Sequence, residues 1–325
     1  MMPVDQEDSR DFGDLKVMAK EVENLDSYKD LISHGVRLKV LEPIGVKTTY
    51  RVGGKCILMV EPHSEEDLFL VDEFLRESEL QPFVLGAGSN TLVSDNGFKG
   101  VVISLGAPFS YVDFSEPELI KSGGATPLPV LARKSSAAGW TGLEWAVGVP
   151  GTCGGAISTN AGGHGATTLD TLIEANIFDF EEHSSSRFMA DELRLGYRSS
   201  ALTNSQVITQ VIHRVSIGDP RESANLISEI VKWRRANQPG GQNAGSVFVN
   251  PLGDSAGRLI EECNLKGFRL GGAQVSTKHA NFIQADPRGS ANDVFSLIEF
   301  VKERVLIKFG IELQPELRLL GFRGN

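Results

Sequence analysis

The stretch from Gly142 to Gly165, GLEWAVGVPGTCGGAISTNAGGHG, constrains the fold more than any other part of the chain. It is too rich in glycine for a regular helix, and such a run is typical of backbone that passes close to another surface or turns through positive φ. Apolar side chains such as Trp145 and Ile157 lie between the glycines, which is unusual for a linker. Small side chains also leave backbone N–H groups free to surround an anionic ligand. We therefore interpret the stretch as a binding loop, with a flexible linker as the alternative.

Length, charge and cysteine content exclude several classes of protein. A chain of 325 residues with a hydrophobic fraction of 41% is expected to form two or three globular domains. The net charge is −10 and the basic residues form no block, which argues against a dedicated nucleic-acid-binding protein. Cys56, Cys153 and Cys263 lie far apart, so neither a disulfide framework nor a metal site is expected. The chain lacks an apolar run of membrane-spanning length and a signal-like N-terminus, and we expect a cytoplasmic protein without membrane insertion.

The N-terminal third predicts a compact unit of strands around one helix. Residues 1–30 are charged and weakly periodic, and we expect a partly disordered extension there. A helix is expected to begin after Ser64, with Asp67 three residues on, between strands near residues 56–60 and 83–85. The second of these strands runs into Gly86-Ala87-Gly88-Ser89-Asn90.

This glycine turn begins like the dinucleotide fingerprint G-x-G-x-x-G. Thr91 occupies the third glycine position and no long amphipathic helix follows, so a Rossmann site is rejected. Consecutive N–H groups and the side chains of Ser89 and Asn90 would still suit a pyrophosphate. Taken alone, the turn is more simply interpreted as an ordinary β-turn.

The rest of the chain alternates strand and helix patterns. Alternating apolar residues predict strands, helical spacing predicts helices, and Ser223 and Ser290 are expected to cap two of those helices. The predicted elements are a helix over 128–138, strands over 172–180 and 207–215, helices after residues 223 and 290, and a final strand over 311–320.

Four polar positions remain ambiguous from residue type alone. Arg198 lies in a loop between two strands, where it could meet an anionic substrate, although a solvated surface arginine is the simpler interpretation. Ser246 lies between a glycine and an apolar strand but does not fit the G-x-S-x-G elbow of a serine hydrolase. Glu316 and Arg318 lie two residues apart on the last strand, which by itself favours a surface charge pair.

Several motifs in one order nevertheless resemble a known family. They are Tyr50-Arg51-Val52-Gly53-Gly54, Leu85 to Asn90, Gly142-Leu143-Glu144 through Asn160-Ala161-Gly162, Gly196-Tyr197-Arg198, Ala244-Gly245-Ser246 through Asn250-Pro251, and Pro315-Glu316-Leu317-Arg318. Together they resemble the UDP-N-acetylenolpyruvoylglucosamine reductase family, the MurB flavoenzymes of peptidoglycan synthesis. The resemblance extends from about residue 38 to 321, and the chain length is similar to that of the shorter class of the family.

The resemblance implies an α+β fold with FAD-binding units of the vanillyl-alcohol-oxidase (PCMH) type and a separate α+β substrate domain. The implied division follows the chain. It comprises an extension over 1–30, a first FAD-binding unit over 31–105 completed by 306–325, a second over 106–222, and a substrate domain over 223–305.

The resemblance also implies a reaction in two halves. NADPH reduces bound FAD, and the reduced flavin then reduces UDP-N-acetylglucosamine enolpyruvate to UDP-N-acetylmuramate. Ser246 matches the family's proton donor, and Arg198 and Glu316 match the residues that polarise the substrate carboxylate and stabilise the enolate-like intermediate. For Glu316 to donate a proton its pKa must be raised in a desolvated site. No metal, nucleic acid or membrane takes part, and a monomer is favoured.

The remaining implied site residues fall into two groups. The FAD contacts are Tyr50, Gly86, Ala87, Gly88, Ser89, Asn90, Thr91, Gly148, Val149, Gly151, Thr152, Gly155, Ala156, Ser158, Asn160, Ala161, Gly162 and Arg318. The substrate contacts are Tyr197, Gln238, Asn250, Lys278 and His279, of which Lys278 and His279 could equally be exposed loop residues. Val249 and His164 depart from the family's usual lysine and tyrosine.

Two other functions fit part of the same pattern. A sugar or alcohol oxidase of the same fold would keep the glycine loops without needing Ser246 and Glu316 together. A protein that keeps FAD as a sensor would need neither Arg198 nor a proton donor. The three retained residues therefore favour the reductase.

Overall fold

Helices and short strands alternate through residues 8–322, the part of the chain that the computed structural model describes, with side chains described from residue 14. The helices are α1 Asp8–Val22, α2 Asp26–Ser33, α3 Glu65–Ser78, α4 Leu128–Ala137, α5 Cys153–Ser158, α6 Pro220–Asn237, α7 Ala256–Glu262 and α8 Ala291–Phe309. The strands are β1 Arg37–Val40, β2 Cys56–Glu61, β3 Gln81–Val84, β4 Thr91–Val93, β5 Phe98–Ile103, β6 Val112–Asp113, β7 Leu119–Gly123, β8 Trp140–Thr141, β9 Gly162–Gly163, β10 Ala166–Thr167, β11 Leu172–Asp179, β12 Ser184–Met189, β13 Gln206–Arg214, β14 Ser216–Ile217, β15 Arg269–Leu270, β16 Ala273–Val275, β17 Ile283–Ala285 and β18 Arg318–Leu320. Short 3-10 helices span Gly45–Lys47, Ala107–Phe109, Glu144–Gly148 and Thr168–Asp170.

The first sheet has the strand order β1-β2-β5-β3, with β1 antiparallel to β2 and the other pairs parallel. The first five residues of β2 are buried because α1, α2 and α3 cover one face of the sheet and a second apolar cluster covers the other. Burial on both faces is typical of strands with parallel neighbours. α3 begins after Ser64, whose Oγ accepts a hydrogen bond from the Asp67 N–H at 3.1 Å, as the sequence predicts.

The N-terminal residues are more ordered than the sequence predicts. Leu15, Ala19 and Val22 lie on one face of α1 with exposures of 0%, 3% and 5%, and Leu31 of α2 is fully buried in the same core. Spacings of four and three residues form an apolar stripe on a helix, which the many charged neighbours conceal in the sequence. Residues 14–30 are therefore packed against the first unit where the sequence predicts a partly disordered extension, and residues 1–7 lie outside the described part.

Two predicted strands differ from those in the structure. The sequence predicts a first extended segment over residues 40–46, but β1 lies before it and ends at Val40, because Leu41 takes a φ of +51° that a strand does not accommodate. The last is reduced to β18, and the irregular stretch before it contains Pro315, which cannot donate to a strand partner.

The second sheet has the order β12-β11-β13-β7-β6 and is antiparallel throughout. Its inner face packs against α4, α6 and the 3-10 helix Glu144–Gly148. α6 begins at Pro220 with Asp219 as its cap, because proline is favoured at the first helical position. The prediction that Ser223 caps this helix was wrong, and its hydroxyl instead donates a hydrogen bond to the buried Glu144.

The third unit packs β15, β16 and β17 against α7 and α8. α8 begins after Ser290, whose Oγ accepts hydrogen bonds from the N–H groups of Asn292 and Asp293, as predicted. Asp95 of the first unit also meets this helix start. Its carboxylate accepts hydrogen bonds from the Ser290 hydroxyl at 2.6 Å and the Ala291 N–H at 3.1 Å. A negative charge at a helix N-terminus is stabilising, so Asp95 fastens the third unit to the first.

The end of the chain returns to its beginning. β18 pairs with β4 in parallel, with Arg318 opposite Thr91, and Leu320 is buried in a cluster beside the first sheet. This pairing brings Glu316 and Arg318 to the Gly86–Asn90 turn.

Within residues 8–322 no helix is both long and apolar enough to cross a membrane. Over the same described residues, no three histidine, cysteine or acidic side chains are grouped so that they could hold a metal ion.

Candidate active site

The first wall of the site is the Gly86–Asn90 turn, which follows β3. Gly88 has a φ of +62°, and a Cβ there would lie 2.7 Å from the Thr48 Cα, so only glycine fits. The side chain of Asn90 donates a hydrogen bond to the Glu316 carbonyl at 3.0 Å, and the Asn90 carbonyl accepts one from the Arg318 N–H at 3.0 Å. The turn is therefore fixed to the returning end of the chain.

The second wall is formed by the glycine-rich stretch, which the backbone traverses as a series of turns. A regular helix was not expected here, yet a short one, α5, begins after Thr152, whose Oγ1 accepts a hydrogen bond from the Gly155 N–H at 3.2 Å. Asn160 closes the stretch. Its amide donates to the Gly196 carbonyl and accepts from the Leu169 N–H, each at 3.0 Å. Asn160 therefore joins the loop to the segment that carries Arg198.

A buried carboxylate secures the start of this stretch. Glu144 is 6% exposed and accepts hydrogen bonds from the Thr141 hydroxyl and the Gly142 N–H, each at 2.8 Å, in addition to the bond from Ser223. Since Ser223 belongs to α6, Glu144 ties the loop to that helix.

Together the walls enclose two adjoining cavities of about 230 and 330 Å³. The first is lined by most of the site residues predicted from sequence, namely Gly86, Ala87, Gly88, Ser89, Asn90, Thr91, Gly148, Val149, Gly151, Thr152, Gly155, Ala156, Ser158, Ala161, Gly162, Arg198, Gln238, Ser246, Glu316 and Arg318. The second is more apolar, contains Leu105, Leu202 and Ile208, and shares Arg318 with the first. Two connected spaces of this kind could hold one elongated ligand.

The three predicted catalytic side chains converge on the first cavity. Arg198 takes a φ of +55°, and its Nη1 lies 3.1 Å from the Glu316 Oε1. The Glu316 N–H donates to the carbonyl of Val247 at 2.7 Å, directly after Ser246. The surface charge pair favoured for Glu316 and Arg318 is therefore wrong, since both residues line the cavity.

Burial determines the electrostatics of the site. It raises the pKa of Glu316, and the Arg198 guanidinium opposes this rise only in part. Burial also lowers the pKa of Arg318 and of Arg234, a residue that sequence analysis did not assign to the site. Neither of these two arginines has a carboxylate within ion-pair distance in the part of the chain whose side chains are described. Their nearest polar partners are neutral amides, Asn204 at 3.1 Å from Arg318 and Gln238 at 2.7 Å from Arg234.

Arg234 could have been found from its spacing. It lies in the last turn of α6, four residues before Gln238, which directly follows the helix as its cap. Because Gln238 was assigned to the site, a residue one helical turn earlier is expected to lie near the site as well.

Six predicted site residues do not line the first cavity. Tyr50 is fully buried in the core, where burial raises its pKa and its hydroxyl has no partner among the described residues. Asn160 is buried, and its side chain is bonded to the backbone of Gly196 and Leu169. Tyr197 is 65% exposed and its hydroxyl lies 3.4 Å from the amide of Asn250. Lys278 donates to the Arg235 carbonyl, and the neighbouring His279 contacts Asn281.

Sequence families match two parts of the chain. Residues 237–320 match the model of the UDP-N-acetylenolpyruvoylglucosamine reductase C-terminal domain, and residues 57–181 match an FAD binding domain. The predicted α+β FAD-binding fold is thereby confirmed.

Whole-chain comparisons agree with the domain matches. A UDP-N-acetylenolpyruvoylglucosamine reductase from Synechococcus sp. (strain JA-3-3Ab) is 40% identical over 288 residues, 88% of this chain and 92% of that protein. A reductase of the same name from Heliobacterium modesticaldum is 41% identical over 87% of this chain and 91% of its own. The crystal structure of UDP-N-acetylenolpyruvylglucosamine reductase (MurB) from Thermus caldophilus superimposes with a TM-score of 0.75 at 32% identity, over 88% of this chain and 98% of that one. The chain therefore belongs to the UDP-N-acetylenolpyruvoylglucosamine reductase family.

Proposed function

We propose that the protein catalyses the NADPH-dependent, FAD-mediated reduction of UDP-N-acetylglucosamine enolpyruvate to UDP-N-acetylmuramate, a step in peptidoglycan synthesis. The observation that carries this proposal is the meeting of Arg198, Glu316 and Ser246 on the wall of one cavity that is otherwise lined by glycine-rich backbone. The family relationship supports the same activity.

The residues around the cavities fit FAD. A Cβ on Gly86 would lie 2.9 Å from the Thr152 Oγ1, so the two glycine loops approach each other with no room for side chains. Such loops present N–H groups to phosphate oxygens. Arg318, which has no ion-pair partner among the described side chains, supplies a positive charge that lines both cavities. When bound there, FAD would carry the hydride from NADPH to the enol-ether carbon. We assign the pyrophosphate to the Gly86–Asn90 turn and the Gly148–Gly162 loop.

Arg198 and Glu316 act on the carboxylate of the substrate. Hydride addition to the terminal carbon of the enolpyruvyl double bond would leave the electron pair on the carbon bonded to the carboxylate. Negative charge would then spread onto this carboxylate, and a guanidinium together with a carboxylic acid would stabilise it as an oxyanion site does. Because burial raises the pKa of Glu316, this residue is suited to carry a proton. The Arg198 guanidinium partly lowers the pKa of Glu316. A substrate carboxylate that binds Arg198 would weaken this effect and so favour the protonated form of Glu316 further.

Ser246 supplies the proton that completes the reduction. A serine hydroxyl is a weak acid in water, so the residue must be held close to the developing carbanion. Gly245, with a φ of +79° and its N–H bonded to the Asn243 side chain at 3.0 Å, shapes the turn that presents Ser246 to the cavity.

The remaining assignments extend this model. We assign Gln238 to the substrate site within the cavity, and Tyr197, Asn250, Lys278 and His279 to its outer contacts. The first FAD-binding unit comprises 31–105 with 306–325, the second 106–222, and the substrate domain 223–305; we propose a cytoplasmic monomer that acts on small molecules.

A Ser246→Ala variant tests the proposal. Reduction of the flavin by NADPH, followed without oxygen as loss of visible absorbance, should remain nearly intact because it requires no proton from Ser246. Reoxidation by the enolpyruvyl sugar nucleotide should slow by more than the roughly 10²–10⁴-fold usual for loss of a general acid. Ser246→Cys, which keeps an acidic hydrogen, should recover part of the rate.

The same experiment addresses the alternatives. Full-speed reoxidation of Ser246→Ala would remove Ser246 from the mechanism. If the wild-type flavin bleaches with NADPH and the enolpyruvyl substrate cannot restore it, the substrate assignment fails and another oxidoreductase of this fold is favoured. A colourless protein that takes up no FAD would refute the whole proposal.

A further inference from the structure

The segment that follows Ser246, residues 247–249, is irregular backbone that is hydrogen-bonded on two sides. On one side, the Val247 carbonyl accepts a hydrogen bond from the Glu316 N–H at 2.7 Å, and the Val249 N–H donates to the Gln314 carbonyl at 3.0 Å. The backbone between Ser246 and Val249 is therefore paired with the backbone that carries Glu316. The contacts on the other side of this segment therefore determine how rigidly Ser246 is held relative to Glu316.

That other edge is occupied by one residue, Asn281. Its carbonyl accepts from the Val247 N–H at 2.9 Å, its Oδ1 accepts from the Phe248 N–H at 3.0 Å, and its Nδ2 donates to the Phe248 carbonyl at 2.8 Å. The side chain therefore takes the place of a peptide group in a neighbouring strand. Asn281 and Phe248 are 4% and 1% exposed, so water cannot replace these bonds.

The pattern requires a side chain with one donor and one acceptor at fixed separation. The carboxamide of asparagine provides both. An ionised aspartate has acceptors only and would face the Phe248 carbonyl with a negatively charged oxygen, whereas an apolar side chain would leave a buried N–H and C=O unpaired. Phe282, the residue after Asn281, lines the first cavity.

We propose that Asn281 is a positioning residue that sets Ser246 in register with Glu316 for the protonation half of the reaction. The inference rests on the proposed function. Val247 is the link, because it bonds to Glu316 through its carbonyl and to Asn281 through its N–H. A shift of the segment 247–249 would move Ser246 relative to Glu316 and leave the Gly86–Asn90 and Gly148–Gly162 loops in place.

An Asn281→Asp variant of the FAD-loaded protein tests this role through its pH dependence. On the alkaline side of its titration, where the new carboxylate is ionised, reoxidation by the enolpyruvyl sugar nucleotide should slow by about 100-fold, the loss expected from misplacing a reacting group by about 1 Å. Flavin reduction by NADPH and FAD content should be unchanged. As the pH falls, the protonated carboxyl regains one donor and one acceptor, and the ratio of variant to wild-type rate should rise toward one.

Taking the ratio of the variant rate to the wild-type rate removes the titration of other groups near the segment 247–249. They are His279, whose Nδ1 accepts from the Asn281 N–H, Glu316 with Arg198 on the opposite edge, and Glu261 and Lys266 beside His279. These groups are present in both proteins.

Ile283→Val is the matched control. Ile283 lies two residues away in β17, is 1% exposed, and belongs to the same core. Its truncation loosens that core without removing a hydrogen bond to Phe248, and both half-reactions should proceed at the wild-type rate. If Asn281→Asp does not fold, Asn281→Ser, which is too short to reach both Phe248 groups, should show the same selective loss without recovery in acid.

Several results would overturn the inference. They are equal slowing of both half-reactions, loss of FAD, a rate ratio that does not change with pH in Asn281→Asp, or a rate for Asn281→Ser equal to that of Ile283→Val. Wild-type protein that the enolpyruvyl substrate cannot reoxidise would refute the proposed function instead, and the two failures are thereby distinguished.

Discussion

His213, a buried histidine that lines neither cavity, is expected to weaken the fold in acid. It lies in β13 at 1% exposure, its Nδ1 is 3.2 Å from the Thr171 Oγ1, and its Nε2 has no partner among the described residues. Burial lowers its pKa from 6.5 to about 4, because the charged imidazolium would lose its hydration.

The size of the effect follows from proton binding. Above pH 6.5 the ring is neutral in both the folded and the unfolded chain, and its titration costs no stability. As the pH falls from 6.5 toward 4, the unfolded chain binds a proton that the folded chain does not, so the free energy of unfolding falls by about 1.4 kcal/mol per pH unit. The total loss is about 3.4 kcal/mol, of which about 2 kcal/mol is reached at pH 5.

His213→Leu removes this titrating group. Urea unfolding of the wild type and the variant, followed by circular dichroism and tryptophan fluorescence from pH 7.5 to 5, should give a difference in unfolding free energy that changes by about 2 kcal/mol in favour of the variant. The two probes must give coincident transitions for the free energies to be defined. His34→Gln, at an exposed position, should follow the wild type. A difference between His213→Leu and wild type that stays constant with pH would refute the reasoning.

Two further substitutions test the walls of the site. Gly88→Ala places a Cβ against Thr48 at a positive φ, so it should lower the free energy of unfolding by about 1–2 kcal/mol and reduce the amount of bound FAD measured by absorbance. In the control Gly163→Ala, the new Cβ meets no atom within 4 Å, and the variant should bind FAD normally. Full FAD loading in the first variant would contradict this. Arg234→Met should weaken calorimetric binding of NADP⁺ and UDP-N-acetylglucosamine by about 10–100-fold, the value of a hydrogen bond to a charged group, while Arg235→Met on the exposed side of the helix should not. Equal affinities of the two arginine variants would exclude Arg234 from anion binding.

Local signals predicted the regular elements well. Ser64 and Ser290 predict helix starts because a side-chain oxygen can accept hydrogen bonds from the unpaired N–H groups of the first turn. Both side chains accept such bonds in the structure. The alternating pattern of β11 and β13 was likewise visible. β12 was missed because it is a polar edge strand, SSSRFM, without alternation.

Features that depend on distant partners could not be predicted from the residues alone. Glu316 and Arg318 look like surface charges until β18 pairs with β4 and turns them toward the cavity. Asn281 gives no local signal of its bonds to Phe248, 33 residues earlier. The family motifs predicted the positions of the loops. The burial of Glu316, and the absence of a carboxylate partner for Arg234 among the described side chains, could be seen only in the folded chain.

The pairing of β18 with β4 also has a consequence for synthesis of the protein. Asn90 is bonded to Glu316, which follows 226 residues later in the chain. At about 5–20 residues per second, translation of that interval takes about 10–45 s. Throughout this time β4 presents an unpaired edge, of the kind that invites association with other strands. Neither the Arg198–Glu316 pair nor the charge of Arg318 is present until residues 316–318 have been synthesised, so a cofactor site that depends on these residues forms only after that interval.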